Sequence, residues 1–191
     1  MRKILFALAV TTLLVSSAFA GELLANQGFE SGVLSPWFTA RTQFCFGTCI
    51  PWAVTSSVVH SGMFSATAVG NIEMRQDFTP TAGSAISSAS LWINNSLGVD
   101  AADFFYTDSS DQEFVFFTTP GVWNLVDLTS DVDTSKILSG FSVFGCSPGC
   151  VTYVDDASIM AGTTTPEPGS LIMLGSGILA AAGALRRKLI P

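Results

Sequence analysis

The sequence predicts an all-β fold, an antiparallel β-sandwich or jelly roll, in the middle of the chain over residues 21–162. Short segments there alternate between apolar and polar residues, glycine and proline separate them at short intervals, and no helical periodicity interrupts them. Strands at this spacing, without interleaved helices, are typical of two packed antiparallel sheets. The clearest alternating segments are residues 64–68, 72–78, 89–94 and 151–154.

The first 20 residues have the pattern of a secretory signal peptide. Two basic residues precede an apolar run over residues 4–15, and Ala18-Phe19-Ala20 forms a small-x-small cleavage pattern before Gly21. The alternative, a first transmembrane helix, is disfavoured because the run is short and ends in that pattern. We therefore expect an exported chain that begins at Gly21.

The last stretch, residues 163–191, begins as a Thr/Pro linker and continues as an apolar run from Leu171 to Leu185. As a helix the run would be about 22 Å long at about 1.5 Å per residue, and its glycines and alanines suit packing in lipid. A core helix of the domain is disfavoured because the run is apolar or small on every face. We expect a transmembrane helix at about 170–185, with the basic cluster after it on the cytoplasmic side.

This tail resembles the PEP-CTERM sorting signal of Gram-negative bacteria. The resemblance rests on a triplet, an apolar helix and a basic cluster in that order: Pro166, Glu167 and Pro168, then the helix, then Arg186, Arg187 and Lys188. It implies that an inner-membrane exosortase recognises and cleaves the tail, which is then an address rather than part of the fold. Before processing the chain would lie in the inner membrane, and afterwards in the cell envelope, on the surface or in the extracellular matrix.

The domain between these segments is strongly acidic. It keeps three basic residues against 14 acidic ones, a net charge of −11, because most lysines and arginines lie in the targeting segments. Such a domain repels a phosphate backbone, which argues against nucleic acid as a partner.

A second resemblance covers about residues 22–160, where five sequence pieces occur in the order seen in carbohydrate-binding modules of the family 4/9 type. It implies a galactose-binding-like jelly roll. The chain departs from that pattern after Gly83, where residues 84–88 replace an aromatic-containing strand start. The matching pieces are residues 24–30 with Pro36-Trp37, then 60–62, 74–78, 119–123 and 153–159.

This resemblance also implies a structural calcium ion where the first and last strands meet, with Glu30, Asp155 and Asp156 as ligands. An independent argument comes from strand register, which places Asp155 on the same face as Val151, Tyr153, Ala157 and Ile159, residues expected to point inward. A carboxylate there needs a cation or several donors, and calcium also accepts backbone carbonyls such as those of residues 60–62. The alternative is a surface Asp-Asp pair with Glu30 in a turn.

Four cysteines occur as two pairs, Cys45 with Cys49 and Cys146 with Cys150. A zinc site is disfavoured because the export signal leads to an oxidising compartment. Each pair encloses turn residues, so two local disulfides are favoured over bridges between the two loops, which remain the alternative.

Four tryptophans raise the question of sugar stacking. Trp37 and Trp123 occupy positions that the family resemblance assigns to packing. Trp92 shares its strand face with Ser90 and Asn94, so it is the first candidate to stack on a sugar, and Trp52 is the second. Core burial is the alternative for each.

The sequence favours a non-enzymatic role. Its single histidine, His60, has no serine or cysteine nearby in a triad-like pattern. We therefore expect an exported protein that binds or associates with exopolysaccharide. The alternatives are a structural matrix protein that uses the same fold without binding sugar, and a small polysaccharide hydrolase or lyase.

Overall fold

A computed structural model describes residues 21–40, 47–146 and 149–162. It confirms the all-β prediction, with short 3₁₀ turns as its helical elements in these ranges. The strands are β1 (Gly21–Glu22), β2 (Phe38–Thr39), β3 (Ile50–Thr55), β4 (Ser65–Val69), β5 (Glu73–Ala82), β6 (Ile86–Asn95), β7 (Val99–Tyr106), β8 (Asp111–Phe117), β9 (Asn124–Asp127), β10 (Ile137–Phe144) and β11 (Val151–Ala161).

The strands form two antiparallel sheets. The six-stranded sheet has the order β3-β4-β11-β6-β9, and β1 pairs with the far end of β11. The five-stranded sheet has the order β2-β5-β10-β7-β8. From β4 to β7 each connection takes the chain from one sheet to the other, so the domain is a β-sandwich.

The core lies between the sheets and follows the period-two alternation of the strands. Leu91 and Ile93 of β6 are buried against residues of the opposite sheet such as Phe104 and Phe141. Trp37 closes this core, with its ring centre 6.3 Å from that of Phe141. The residues between these core positions form the outer face of each sheet.

A β-bulge in β11 corrects the predicted register. Val154 and Ala157 are both buried in the core, although an unbroken strand would place them on opposite faces. The pairing with β6 shifts between Asp155 and Ser158, and Asp156 has a φ of 46°. Asp155 therefore does not share a face with Ala157, and the expected inward row across residues 151–159 is wrong.

The predicted signal peptide and the predicted transmembrane helix lie outside the described residues. Within the described ranges, no helix has the length and hydrophobicity to cross a membrane.

Candidate functional site

Three carboxylates bind the loop that precedes β4, at the place where β11 bulges beneath it. Asp155 is 0% exposed and accepts three backbone N–H groups, from His60 at 3.0 Å, Ser61 at 3.2 Å and Asp156 at 2.9 Å. Burial raises the pKa of Asp155, and the neighbouring Asp156 charge raises it further, while the amide donors lower it. The buried Asp155 carboxylate thus holds this loop in place.

The other two predicted ligands hold the same loop from its rim. Asp156 lies 2.8 Å from His60 Nδ1 and accepts the Ser61 hydroxyl at 3.0 Å. Glu30 accepts the backbone N–H groups of Met63 at 2.9 Å and Phe64 at 3.0 Å. Each carboxylate of the cluster therefore binds donors of residues 60–64.

Glycine makes this approach possible at two positions. A side chain on Gly28 would lie 3.1 Å from Asp156 Oδ1 and 3.5 Å from Asp155 Oδ1, so the first loop passes close to both carboxylates. A Cβ on Gly62 would overlap the Glu30 carboxylate, and its φ of 61° is one that other residues rarely adopt. The three acids that the sequence analysis named therefore lie around the same loop.

Calcium binding stays a prediction. The donor set is chemically suitable, since three carboxylates lie around one turn of backbone. However, the carboxylate oxygens of Asp155 and Glu30 already accept hydrogen bonds from backbone N–H groups. Among the described residues, no three His, Cys, Asp or Glu side chains are placed to hold one metal ion. A bound cation would have to replace some of these hydrogen bonds.

The two tryptophans predicted to stack on sugar differ in their surroundings. Trp52 is 5% exposed in the core and donates its indole N–H to the Ile72 carbonyl at 2.8 Å, so it presents no ring face to a ligand. Trp92 is half-buried on the outer face of the six-stranded sheet, and His60 stacks on it with ring centres 3.8 Å apart. The expectation for Trp52 is wrong, and stacking of a sugar on Trp92 stays a prediction.

The cysteine prediction is confirmed for one pair. Cys146 and Cys150 form a disulfide with their Cα atoms 5.7 Å apart. Cys45 lies outside the described residues, so its bridge to Cys49 stays a prediction.

A pocket that the sequence analysis missed opens on the outer face of the five-stranded sheet. It has a volume of about 370 Å³. The guanidinium of Arg75 lies over the ring of Phe105, 3.7 Å from its centre, and donates to Asp77 at 2.6 Å. We call this the guanidinium pocket, and it is lined by Arg75, Phe105, Tyr106, Ser109, Ser110, Asp111 and Ser139.

Both described cationic side chains of this acidic domain lie at that pocket. Lys136 lies directly before β10 and extends to the pocket. Its Nζ donates to Ser110 Oγ at 2.7 Å and lies 3.2 Å from Asp108. A side chain on Gly140 would lie 2.7 Å from Asp77 Oδ1, so this glycine leaves room for the Arg75–Asp77 pair. Alternation along β5 could have indicated that Arg75 points outward, but its partners on β7 and β10 depend on strand order.

Comparison with known proteins identifies the tail and the fold. The PEP-CTERM protein-sorting motif matches residues 164–188. Among curated proteins, none matches the sequence significantly. The motif indicates an exported protein that an exosortase sorts to the cell envelope.

Solved structures share the sandwich at low sequence identity. TmCBM61, solved with β-1,4-galactotriose, is 20% identical with a TM-score of 0.55, over 74% of this chain and 99% of that one. The CBM22-1 xylan-binding domain of Paenibacillus barcinonensis Xyn10C is 12% identical with a TM-score of 0.54, over 76% and 97%. The enzymatically active domain of tailspike protein 4 of bacteriophage CBA120 is 12% identical with a TM-score of 0.57, over 73% and 21%.

At these identities the likeness establishes the fold and not the ligand. The chain therefore combines a β-sandwich, similar in fold to these structures, with a C-terminal PEP-CTERM sorting motif.

Proposed function

We propose that the exported protein binds an extracellular polysaccharide at the cell surface without cleaving it. The observation that carries this proposal is the guanidinium pocket, a polar depression lined by strand residues of the five-stranded sheet and by the turn between β7 and β8. Hydroxyl groups of a sugar need donors and acceptors at fixed positions, and strands hold side chains more rigidly than loops do.

The chemistry of the pocket suits a pyranose with adjacent hydroxyls. The fork of Arg75 presents donors in a fixed plane, and its stacking on Phe105 holds that plane in place. Ser109 supplies a hydroxyl that can donate and accept, and Ser139 supplies a hydroxyl oxygen that can accept, since its proton goes to the Phe105 carbonyl. Because Asp77 and Asp108 offset the charges of Arg75 and Lys136, the pocket has no excess positive charge for an anion.

A catalytic role has weaker support. His60 is held between Trp92 and Asp156, so it is committed to packing and to a hydrogen bond. Most of the similar structures are carbohydrate-binding modules, although the tailspike domain is enzymatically active. A hydrolase or lyase would release reducing ends from a matrix polysaccharide, and a purely structural matrix protein would bind none.

Affinity electrophoresis of the purified exported protein tests this proposal. The gels contain β-1,4-galactan, xylan or the extracellular polysaccharide of the producing cells. We expect retardation by at least one of them, and a loss of about ten-fold in affinity in Arg75→Ala, since a hydrogen bond from a charged group contributes about 1.5–3 kcal/mol.

The matched control is Val115→Ser, an exposed position on the outer face of the same sheet that does not line the pocket. It should bind like the wild type. If the folded wild type is not retarded by any of the three polysaccharides, the structural alternative replaces this proposal.

A further inference from the structure

A second pocket lies on the outer face of the six-stranded sheet. It has a volume of about 380 Å³ and lies where β6 and β11 run side by side. Asn94 and Tyr153, which are directly paired across these two strands, both line it. Val58 and Val151 add apolar walls, and Asn95, Ser96 and Gly121 complete the rim of what we call the amide pocket.

Asn94 is the unusual residue of this pocket. It is only 9% exposed, and its side-chain amide makes no hydrogen bond within the described part of the chain. Its amide atoms are not among the fully buried polar atoms that lack a partner, so they are accessible from the pocket, where a ligand or water can bind them. The Tyr153 phenol likewise has no hydrogen-bond partner among the described residues.

The neighbouring asparagine shows the contrast. Asn95 donates to Asp100 and Thr118, and its carbonyl oxygen accepts the backbone N–H groups of Leu97 and Gly98. Its amide is therefore fully used within the fold. Both asparagines line the pocket, but the Asn95 amide holds a turn together, whereas the Asn94 amide keeps its donor and acceptor for a ligand.

The lining indicates the class of ligand. No charged side chain lines the amide pocket, so it offers nothing to pair with an ion. The unpaired Asn94 amide, the Tyr153 phenol and the apolar walls are suited to a neutral pyranose, whose C–H face packs on an aromatic ring while its hydroxyls bond to the amide. The guanidinium pocket differs because Arg75 and Asp111 line it.

We propose that the amide pocket is a second sugar-binding site for a neutral pyranose, so that the domain holds two polysaccharide chains at once. The inference rests on the proposed function of the guanidinium pocket. Because the two pockets open on opposite outer faces of the sandwich, one chain segment bound at one pocket leaves the other pocket free. A protein with two such sites cross-links polymers.

Turbidity and retardation, measured together on the exported protein, test this inference. The probes are soluble β-1,4-galactan, xylan and the producing cells' extracellular polysaccharide. We expect the wild type both to be retarded and to make the bound polysaccharide turbid. Asn94→Ala and Arg75→Ala should each remain retarded with about ten-fold weaker binding and lose the turbidity, and the double variant should lose both.

Two further variants keep the test independent of folding defects. Tyr153→Phe removes only a hydroxyl and should also reduce turbidity, whereas Leu125→Ala, at an exposed position on the same sheet outside the pocket, should not. Melting curves establish that each variant is folded.

The two proposals fail in different ways. If the wild type is retarded but never causes turbidity, or if Asn94→Ala is as turbid as the wild type, the second site is overturned and the proposed function stands. If the folded wild type is not retarded at all, both are overturned.

Discussion

The imidazole of His60 lies flat against the indole of Trp92, with ring centres 3.8 Å apart and planes inclined by 16°. Trp123 meets the same imidazole edge-on at 5.6 Å and donates its indole N–H to the Val59 carbonyl. These contacts fasten the loop before β4 to the six-stranded sheet. Because that loop also supplies the amides that bind Asp155 and Glu30, the aromatic stack and the acidic cluster form one unit.

His60→Ala should loosen this loop. It removes the stack on Trp92 and the contact with Asp156, and an aromatic pair contributes about 0.5–1.5 kcal/mol beyond its buried area. We expect the midpoint of thermal unfolding to fall by about 3–5 °C, which corresponds to about 1 kcal/mol in a domain of this size. Tryptophan fluorescence should shift to the red as Trp92 becomes exposed.

The matched variant His60→Phe separates the two contributions. It keeps an aromatic ring against Trp92 and loses only the hydrogen bond to Asp156, so it should recover most of the stability and the fluorescence of the wild type. If His60→Ala melts and fluoresces like the wild type, the stack does not hold the loop.

We expect calcium to stabilise the domain through Glu30, Asp155 and Asp156. Calcium at 100 times its dissociation constant adds about 2.7 kcal/mol to the free energy of unfolding when it binds only the folded state. Melting curves in millimolar calcium and in EDTA measure this. Asp156→Asn removes one charge but keeps an acceptor, so it should reduce the difference between the two conditions.

Asp127→Asn is the control for that experiment, because Asp127 is an exposed acid at the end of β9, away from the cluster. It should respond to calcium as the wild type does. Identical melting curves of the wild type in calcium and in EDTA would remove the calcium site.

The disulfides give a prediction about connectivity. Non-reducing peptide mapping should yield one bridged peptide with Cys146 and Cys150, and a second with Cys45 and Cys49. Closing a loop as short as this contributes about 2 kcal/mol in the chain-entropy description, so Cys146→Ser/Cys150→Ser should be less stable by about that amount. A peptide that joins the two loops would contradict the prediction of two local bridges.

Alternation along the strands was enough to predict the sandwich, because the core-facing side of most long strands is mainly apolar. It failed at Asp155 because a bulge shifts the period by one residue, and the sequence carries no local signal for it beyond two adjacent acids. The expectation for Trp52 rested on its position near the loop of Cys45 and Cys49, and it was wrong because the indole donates to a carbonyl in the core. Whether such a side chain faces the core or the solvent depends on strand pairing, which the pattern along one strand does not show.

The two pockets illustrate the same limit. Arg75 lies over Phe105, and Asn94 lies beside Tyr153, yet each pair joins strands that are distant in sequence. Periodicity can show that these side chains point outward. It cannot show which strand lies beside which, and the pockets exist only through that order.

A buried acid, Asp100, forms a hydrogen-bonded network behind the disulfide. It is 3% exposed, accepts the Asn95 amide N–H and lies 3.4 Å from the Thr152 hydroxyl. That hydroxyl also lies 3.0 Å from Cys146 Sγ and has a single proton to donate. If it donates to sulfur, a protonated Asp100 can donate to it in turn. Burial raises the pKa of Asp100 from 3.8 to about 7, against the lowering effect of its hydrogen bonds.

This shift predicts that the domain becomes less stable as the pH rises from about 4 to about 7. Between those values the folded state binds a proton at Asp100 that the unfolded state has lost, so raising the pH favours unfolding, and the loss is complete above about 7. At about 1.36 kcal/mol per pKa unit the effect amounts to roughly 4 kcal/mol.

Asp100→Asn keeps the size of the side chain and stays neutral, so the stability of this variant should lack the pH-dependent component. Urea unfolding of both proteins from pH 4 to pH 8 measures the difference, in which the contributions of other carboxylates cancel. Parallel curves for the two proteins would show that Asp100 does not keep its proton in the folded state.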